Sequence, residues 1–428
     1  MKPHHTVLIL VFALMVACTP KGDNGMIEPR PGTSLPTEAS TALANIDSLM
    51  WRQPDSALAC LLSYFDTCCR DAMIASRNLR RIQCVSTTTF DDHYAQLLAA
   101  ELLYKNDYQQ TNRTDLQQAV AYFDSLVRET PPFKGAGGIQ RTSDPNLFFL
   151  AARAHYINGV GYYEQDSVVP ACQQYLKALG IMEGHFAEKE LVGKKAHFMA
   201  LTFTHLTAVF SDLYLSEQAL YFGRRSLAYF QKYEASPQHV AWMLDEIGSH
   251  FEMMKHSDSA WHYYQAAMEI LPDTNTQIFR DITTHKAFLE YEMEKRAERP
   301  LNQLRNLLSQ AESEREVLSR SSIIGELFYH EKQYDSAERY LTKVFHESQN
   351  IDAKKQAAEW LVEICKTQGR TSEIMEYADF LVPFANVNEN QGFMKSQLTE
   401  LCHEYEQDRQ EALHQQKTQK MMKWANWY

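Results

Sequence analysis

Cysteine and histidine are the side chains of this sequence that most invite a chemical role. Four cysteines lie near one another early in the chain, at Cys60, Cys68, Cys69 and Cys84. No Cys-x-x-Cys spacing occurs among them, and a zinc site would use that spacing. Three interpretations remain open for the four: small buried hydrophobic residues, one disulfide, or metal or redox chemistry. Seven cysteines follow Cys18, an odd number, so at least one stays unpaired.

The sixteen histidines do not form a recognisable catalytic or metal motif. His330-Glu331 lacks a second histidine four residues after the first, and His346-Glu347 is followed by Ser-Gln-Asn, so neither is a zincin motif. No Gly-x-Ser-x-Gly nucleophile turn occurs. We interpret the histidines and the acidic pairs as helix surfaces in solvent. The sequence therefore predicts no enzyme activity, no catalytic residue, no metal and no cofactor.

A stretch rich in proline and glycine occupies residues 131 to 146 and begins PPFKGAGG. A phosphate-binding loop would be preceded by a strand and followed by Gly-Lys-Ser/Thr, and neither is found. We expect a loop inserted between two helical regions.

Composition limits both the fold and the partners. Gly and Pro number only 16 and 14 in 428 residues, which argues against a turn-rich all-β protein, while 45% apolar residues are enough for a folded core. The net charge of −12 has the wrong sign for a protein that neutralises phosphates. Nucleic acid is therefore not expected as a main partner, and no small-molecule substrate is evident.

The first 17 residues form a predicted secretory signal, with Lys2 ahead of an apolar run that is too short to span a bilayer. The run ends in Leu14-Met15-Val16-Ala17-Cys18, which resembles the lipobox of bacterial lipoproteins, although Leu is commoner at the position of Met15. The resemblance implies that Cys18 carries diacylglycerol, that cleavage occurs before it, and that the new amino terminus is acylated, with palmitate as the expected type of chain. The alternative is an ordinary cleavable signal with an incidental cysteine.

Residues 18 to 40 contain four prolines and few large apolar side chains, so we expect a flexible tether. Together with the lipid this predicts a protein of the cell envelope, anchored to a membrane by its amino-terminal lipid. The residues after Cys18 hold no acidic cluster of the kind associated with surface export, and we expect an outer-membrane location facing the periplasm.

The body of the sequence repeats one pattern of small and aromatic residues. It is clearest around residues 242 to 272, where Gly248, Phe251, Ala260, Tyr264 and Ala267 precede Pro272. The small residues allow two antiparallel helices to approach closely, and the aromatic residues fill the space between them and the next hairpin. The same frame recurs in two further segments, at Gly159, Tyr162, Ala171, Tyr175 and Ala178, and at Ile324, Gly325, Phe328, Ala337, Leu341 and Val344.

Weaker copies lie between and after these three units, at Leu206, Phe210, Ala219 and Ser226, at Phe288, Tyr291, Leu304 and Leu307, and at Leu361, Cys365, Ile374, Ala378 and Leu381. The residues that begin each second helix are 171, 219, 260, 300, 337 and 374, which gives spacings of 48, 41, 40, 37 and 37. All exceed the consensus of about 34, so we expect longer interhelix turns or helix ends. Pro300 puts the fourth unit in doubt, because alanine is expected there.

This frame resembles the tetratricopeptide repeat (TPR), over residues 147 to 390. The resemblance implies an all-α fold, an α-solenoid of TPR-like helical hairpins wound into a right-handed superhelix. It also implies a concave groove, made mostly by the first helix of each pair, that holds a peptide or an extended segment of a protein partner.

Upstream, residues 41 to 130 form less regular predicted hairpins. Leu43, Ile46 and Met50 pair with Ala57 and Leu58 across a turn, and Pro54-Asp55-Ser56 is typical of a helix start. A second hairpin is expected from about Tyr94 to Val127. The opening phrases resemble a group of repeat lipoproteins found in Bacteroidetes.

Residues 391 to 428 are predicted to form a capping helix with a basic and aromatic end, since Lys417, Lys420 and Lys423 precede Trp424 and Trp427. In related Bacteroidetes proteins such an array often continues into a membrane helix and a helix-turn-helix module. Two hypotheses for function follow: a non-catalytic, membrane-anchored scaffold that binds a protein or peptide, or the sensor part of an envelope signalling regulator.

Helical offsets place the predicted binding groove. In the clearest unit, the face about 130° from the core stripe carries Trp242, Asp245 and Glu252, and we expect it to be exposed because it cannot pack inside its own hairpin. In the other two strong units, the residues at the same distances in sequence from Gly159 and Gly325 form the equivalent face. The predicted groove residues are Arg153, Tyr156, Tyr163, Trp242, Asp245, Glu252 and Tyr329. The alternative is that Trp242 and Tyr163 cover neighbouring helices.

Overall fold

A computed structural model describes residues 41–68, 90–106, 114–129, 145–233, 236–384 and 387–425. Within these ranges the chain forms seventeen α-helices and no strand, which confirms the all-α prediction. The signal, the tether, Cys18, Cys69, Cys84 and nearly all of the predicted loop lie outside the described residues.

The described residues divide into two compact units, 41–209 together with 397–425, and 210–396. The first contains α1 (Thr41–Met50), α2 (Pro54–Cys68), α3 (Phe90–Lys105), α4 (Thr114–Glu129), α5 (Pro145–Tyr163) and α6 (Val168–His185). Helix α7 (Lys194–Asp212) passes from the first unit into the second. The right-handed superhelix concerns the path of the whole chain and stays a prediction.

The second unit consists of consecutive helical hairpins. Its helices are α8 (Ser216–Lys232), α9 (Pro237–Met253), α10 (Ser257–Glu269), α11 (Gln277–Glu294), α12 (Glu298–Ser309), α13 (Glu314–His330), α14 (Tyr334–Glu347), α15 (Ile351–Gln368) and α16 (Thr371–Leu381). Helix α17 (Val387–Ala425) then returns to the first unit, where the hydroxyl of Tyr405 donates to Glu183 on α6 over 2.7 Å. No helix among the described residues is both long enough and apolar enough to cross a membrane.

Each first helix of a hairpin in residues 236–384 begins at a residue that caps it. Ser236, Thr276, Ser313 and Asn350 each accept a hydrogen bond from the backbone N–H three residues later. These side chains satisfy donors that the first turn of a helix leaves unpaired. The caps therefore set where α9, α11, α13 and α15 begin.

The turn inside each hairpin is nearly uniform. It places one residue in the left-handed region, at Asp166, Tyr214, Lys255, Lys295, Lys332 and Gly369, with φ between 54° and 72°. Each of these six positions lies five residues before one of the predicted second-helix positions 171, 219, 260, 300, 337 and 374. The turn between the two helices of a hairpin is therefore not what makes the repeats longer than 34 residues. The extra residues lie in the helices and in the connections between hairpins.

Pro300 does not interrupt the fourth unit. It is the third residue of α12, where the backbone N–H would have no partner inside the helix, and the first bond of the helix runs from Leu301 N to Ala297 O. The doubt raised by the sequence is removed because proline is tolerated in a first turn.

In each of the three strong units, the glycine on the first helix lies against the large side chain that the pattern places on the second helix. A Cβ at Gly159 or Gly248 would lie 2.7 Å from the ring of Tyr175 or Tyr264, and a Cβ at Gly325 would lie 2.7 Å from Leu341. The reason given for the pattern, close approach of two helices, is confirmed in these hairpins.

Gly159→Ala is expected to lower the free energy of unfolding by about 1–3 kcal/mol, because the added methyl group meets a fully buried tyrosine ring. Gly180→Ala, in the same hairpin, is the matched control, since nothing lies within 4 Å of its Cβ and the site is exposed. Alanine should stabilise α6 there by about 0.5–1 kcal/mol. Urea unfolding of both variants measures the difference, and stabilisation by both would contradict close packing at Gly159.

Candidate functional site

Successive first helices contact each other directly, α9 with α11, α11 with α13, and α13 with α15. We call these four helices the first-helix layer. They carry many buried charged side chains, and three of the ion pairs join one first helix to the next: Asp245 with His285, Arg280 with Glu316, and Asp281 with Arg320.

His285 on α11 is the central cation of this layer. Its Nδ1 lies 2.9 Å from Oδ1 of Asp245 on α9. Burial lowers the pKa of His285, but Asp245, Glu252 and Asp281 outweigh burial and raise the pKa to about 9. The ring is therefore an imidazolium at neutral pH and donates to the Asp245 carboxylate.

Four carboxyl groups act on this single imidazolium. We define the His285 cluster as His285 with Asp245, Glu246, Glu252 and Asp281, which interact electrostatically with it. Burial raises the pKa of Glu246 to about 8, with Asp245 adding to the shift. Burial likewise raises the pKa of Glu252 to about 7, although the Tyr264 hydroxyl donates to its Oε2 over 2.6 Å. The raised pKa values mean that Glu246, and in part Glu252, hold a proton near neutral pH, so the cluster takes up protons and an incoming positive charge would compete with them.

Two arginines extend the network from α11 to α13. Arg320 Nη1 donates to Glu316 over 2.8 Å and to the carbonyl of Leu307 over 3.0 Å, and Arg280 Nη2 reaches the same glutamate at 3.4 Å. Burial raises the pKa of Glu316, but these arginines overcome it and the net shift is downward. Arg320 Nη2 also lies 3.6 Å from Asp281, so this paired group adjoins the His285 cluster.

Two indole N–H groups in the layer lack an acceptor within the described structure, those of Trp242 on α9 and Trp360 on α15. The ring of Trp360 packs on Tyr329, with centroids 4.5 Å apart. An indole donor buried without an acceptor is costly.

Most of the predicted groove residues are buried rather than exposed. Relative exposure is 1% for Arg153, 7% for Tyr156, 6% for Trp242, 3% for Asp245 and 4% for Glu252, while Tyr163 and Tyr329 are half-buried. The expectation that this face cannot pack inside its own hairpin is wrong for Glu252, since Tyr264 of the same hairpin bonds to it. The assignment of these residues to binding stays a prediction.

The structure brings only part of the predicted set together. Trp242, Asp245 and Glu252 lie on α9, whereas Arg153, Tyr156 and Tyr163 lie on α5 in the first unit. The sequence prediction missed His285, the centre of the cluster. The repeat frame could have indicated this residue. His285 lies three residues before Phe288, which occupies the core position of Gly248, and Asp245 lies three residues before Gly248.

Four cysteines of the described part are not joined by disulfides. Cys60, Cys172, Cys365 and Cys402 are free thiols, and Cys172 and Cys365 are buried. Within the same described ranges, no three His, Cys, Asp or Glu side chains are placed to hold a metal ion.

Comparison with solved structures bears on the fold. The apo form of RapI matches with a TM-score of 0.53 and 14% identity, over 88% of this chain and 98% of that one. This chain has a TPR-like helical-repeat fold. A Rap protein complexed with competence and sporulation factor gives 0.48 at 13% identity, over 87% and 98%. The C-terminal part of a TPR repeat-containing protein from Cytophaga hutchinsonii gives 0.36 at 12%, over 69% and 97%. No protein-family model matches the sequence, and no curated protein matches it significantly.

Proposed function

We propose that this protein is a non-catalytic scaffold that binds an extended peptide, or an extended segment of a partner protein, on the first-helix layer of residues 236–384. The observation that carries the proposal is the His285 cluster, where one imidazolium faces four acids, beside the unpartnered indole N–H of Trp242. TPR-like hairpins supply the supporting framework, since they place equivalent positions of successive helices in a row.

The chemistry of the layer selects the kind of peptide. Lysine or arginine side chains would replace the protons that Glu246 and Glu252 hold near neutral pH, and charge-assisted hydrogen bonds to carboxylates are the stronger class. Backbone carbonyls of the peptide would accept from Trp242 and Trp360 if neighbouring side chains move, since both indole Nε1 atoms are buried. We therefore expect basic segments to bind in preference to acidic ones.

A positional peptide library tests this preference. Labelled peptides that carry Lys or Arg should bind the full chain more tightly than the same peptides with Ala or Glu, as measured by fluorescence anisotropy. Glu252→Gln should weaken the binding of the best basic peptide by about tenfold or more, because an ionic hydrogen bond is lost. Glu294→Gln, exposed at the end of α11, is the matched control. Equal binding of basic and acidic peptides would contradict the proposal.

We propose in addition that the protein is a lipoprotein of the cell envelope, anchored through Cys18. The support is the Leu14-Met15-Val16-Ala17-Cys18 sequence behind a short apolar run, and multiple acyl chains would make the anchoring stable. Cys18→Ser should move the protein from the membrane to the soluble fraction and abolish labelling with radioactive palmitate. Continued membrane fractionation of this variant would favour the incidental cysteine.

A further inference from the structure

Three cationic side chains surround one indole ring in the unit of residues 41–209. Trp51 follows directly after α1, and its ring centroid lies 5.0 Å from Lys105 Nζ, 5.4 Å from Lys194 Nζ and 5.9 Å from the guanidinium carbon of Arg153. The three cations come from the end of α3, the start of α7 and the middle of α5. Helices that are far apart in sequence thus direct positive charge to one ring.

Arg153 is already neutralised and holds the ring in position. Its guanidinium donates to Glu101 through Nε over 2.8 Å and through Nη2 over 2.5 Å, and to Asp47 through Nη1 over 2.8 Å. Asp47 in turn accepts from Trp51 Nε1 at 3.2 Å and from the Tyr94 hydroxyl at 2.5 Å. These hydrogen bonds hold the indole ring in place through Asp47, which is itself held by Arg153 and Tyr94.

Among the described residues, neither lysine is hydrogen-bonded to a carboxylate in this way: Asp47 and Glu101 attract both ammonium groups from a longer distance, but burial still lowers the pKa of each lysine. No carboxylate in the described part of the chain forms an ion pair with Lys105 or Lys194. Lys105 is half-buried, and burial lowers its pKa; Lys194 is exposed and is the first residue of α7. The charged groups that interact here are the acids Asp47 and Glu101 and the cations Arg52, Lys105, Arg153 and Lys194, so two negative charges meet four positive ones and the net charge is +2. This local excess occurs in a protein whose net charge is −12.

Cation–π contacts alone do not account for two ammonium groups on the same ring. Each contact contributes little at an accessible site, and two like charges that share a ring repel each other. An oxyanion that accepts hydrogen bonds from both ammonium groups would remove the repulsion. Lys194 is the first residue of α7, and the start of a helix carries the positive end of its dipole.

We propose that Trp51, Lys105 and Lys194 form an oxyanion-binding site that takes a carboxylate or phosphate group, with the adjoining part of the ligand against the indole. The site lies outside the first-helix layer of residues 236–384 and does not depend on the function proposed for that layer. Its ligand carries the opposite charge to the basic peptide expected there.

Titration of the full chain with sodium phosphate and with sodium succinate, at ionic strength held constant with sodium chloride, tests the site. We expect saturable heat of binding with at least one anion and a saturable change in tryptophan fluorescence. Trp51→Phe should remove the fluorescence change. Lys194→Gln should weaken binding by about tenfold, because a charged hydrogen-bond donor is lost. Lys189→Gln, an exposed lysine close by in sequence, should bind as the unaltered protein does.

The results separate the two sources of oxyanion. A response to succinate alone identifies a carboxylate site, and a response to phosphate alone identifies a phosphate site. The proposal is overturned if neither anion saturates below about 20 mM, or if Lys105→Gln with Lys194→Gln binds unchanged. Lys194 is exposed, so its single replacement tests binding without disturbing the core, and circular dichroism of each variant checks folding. Replacement of Glu252 should leave the anion response intact.

Discussion

Arg153→Met is expected to lower the free energy of unfolding by about 3–5 kcal/mol. Arg153 is 1% exposed and forms ion pairs with both Asp47 and Glu101. Removal of one partner from a buried ion pair leaves the other charge desolvated and uncompensated, and that penalty exceeds the value of the pair itself. Methionine keeps most of the side-chain volume, so the loss reports on charge rather than on a cavity. Urea unfolding followed by circular dichroism measures it.

A double-mutant cycle supplies the control for this prediction. Glu101→Gln combined with Arg153→Met should be less destabilised than the sum of the two single variants, because neither unpaired charge then remains between these two residues. Tyr94 should still bond to Asp47 in every variant. Strict additivity of the two changes would show that Arg153 and Glu101 do not act as a buried pair.

The helical hairpins were predictable because their determinants are local. The small residue, the aromatic residue and the second-helix alanine recur at fixed offsets, and a two-helix hairpin needs only those contacts to pack. Gly248 and Tyr264 illustrate this, since they meet within one hairpin. Even the degenerate fourth unit follows the frame, with Lys295 in the turn and Pro300 in the first turn of α12.

Burial of the predicted groove was not predictable from the same offsets. Helical geometry specifies the direction of a side chain from its own helix but says nothing about what the next hairpin presents to it. The partners of Arg153 lie 52 and 106 residues away in sequence. Asp245 likewise meets His285 from the next hairpin. The charged residues at the predicted groove positions therefore lie in buried networks. Only the three-dimensional structure shows how exposed their side chains are.

The pH dependence of stability follows from the His285 cluster. Between pH 6.5 and 9 the free energy of unfolding is expected to fall by about 2–4 kcal/mol, since each unit of pKa shift corresponds to about 1.4 kcal/mol. Glu252, Glu246 and His285 have pKa values raised to about 7, 8 and 9 in the folded protein. A raised folded-state pKa means that the native state binds protons more tightly than the unfolded state does. Stability is therefore present at low pH and is lost as pH rises through these values.

Glu246→Gln isolates the contribution of one group to this effect. The amide cannot ionise, so the variant should be more stable than the unaltered protein at pH 8.5, and the two should differ little near pH 5, where the buried glutamate is protonated. Glu314→Gln, at an exposed position of α13, should leave the profile unchanged. His250 has a pKa lowered by burial to about 4 and acts below pH 6.5, outside this window. Thermal unfolding of the full chain at half-unit steps of pH measures the profiles. Parallel profiles for Glu246→Gln and the unaltered protein would show that Glu246 ionises normally in the folded state.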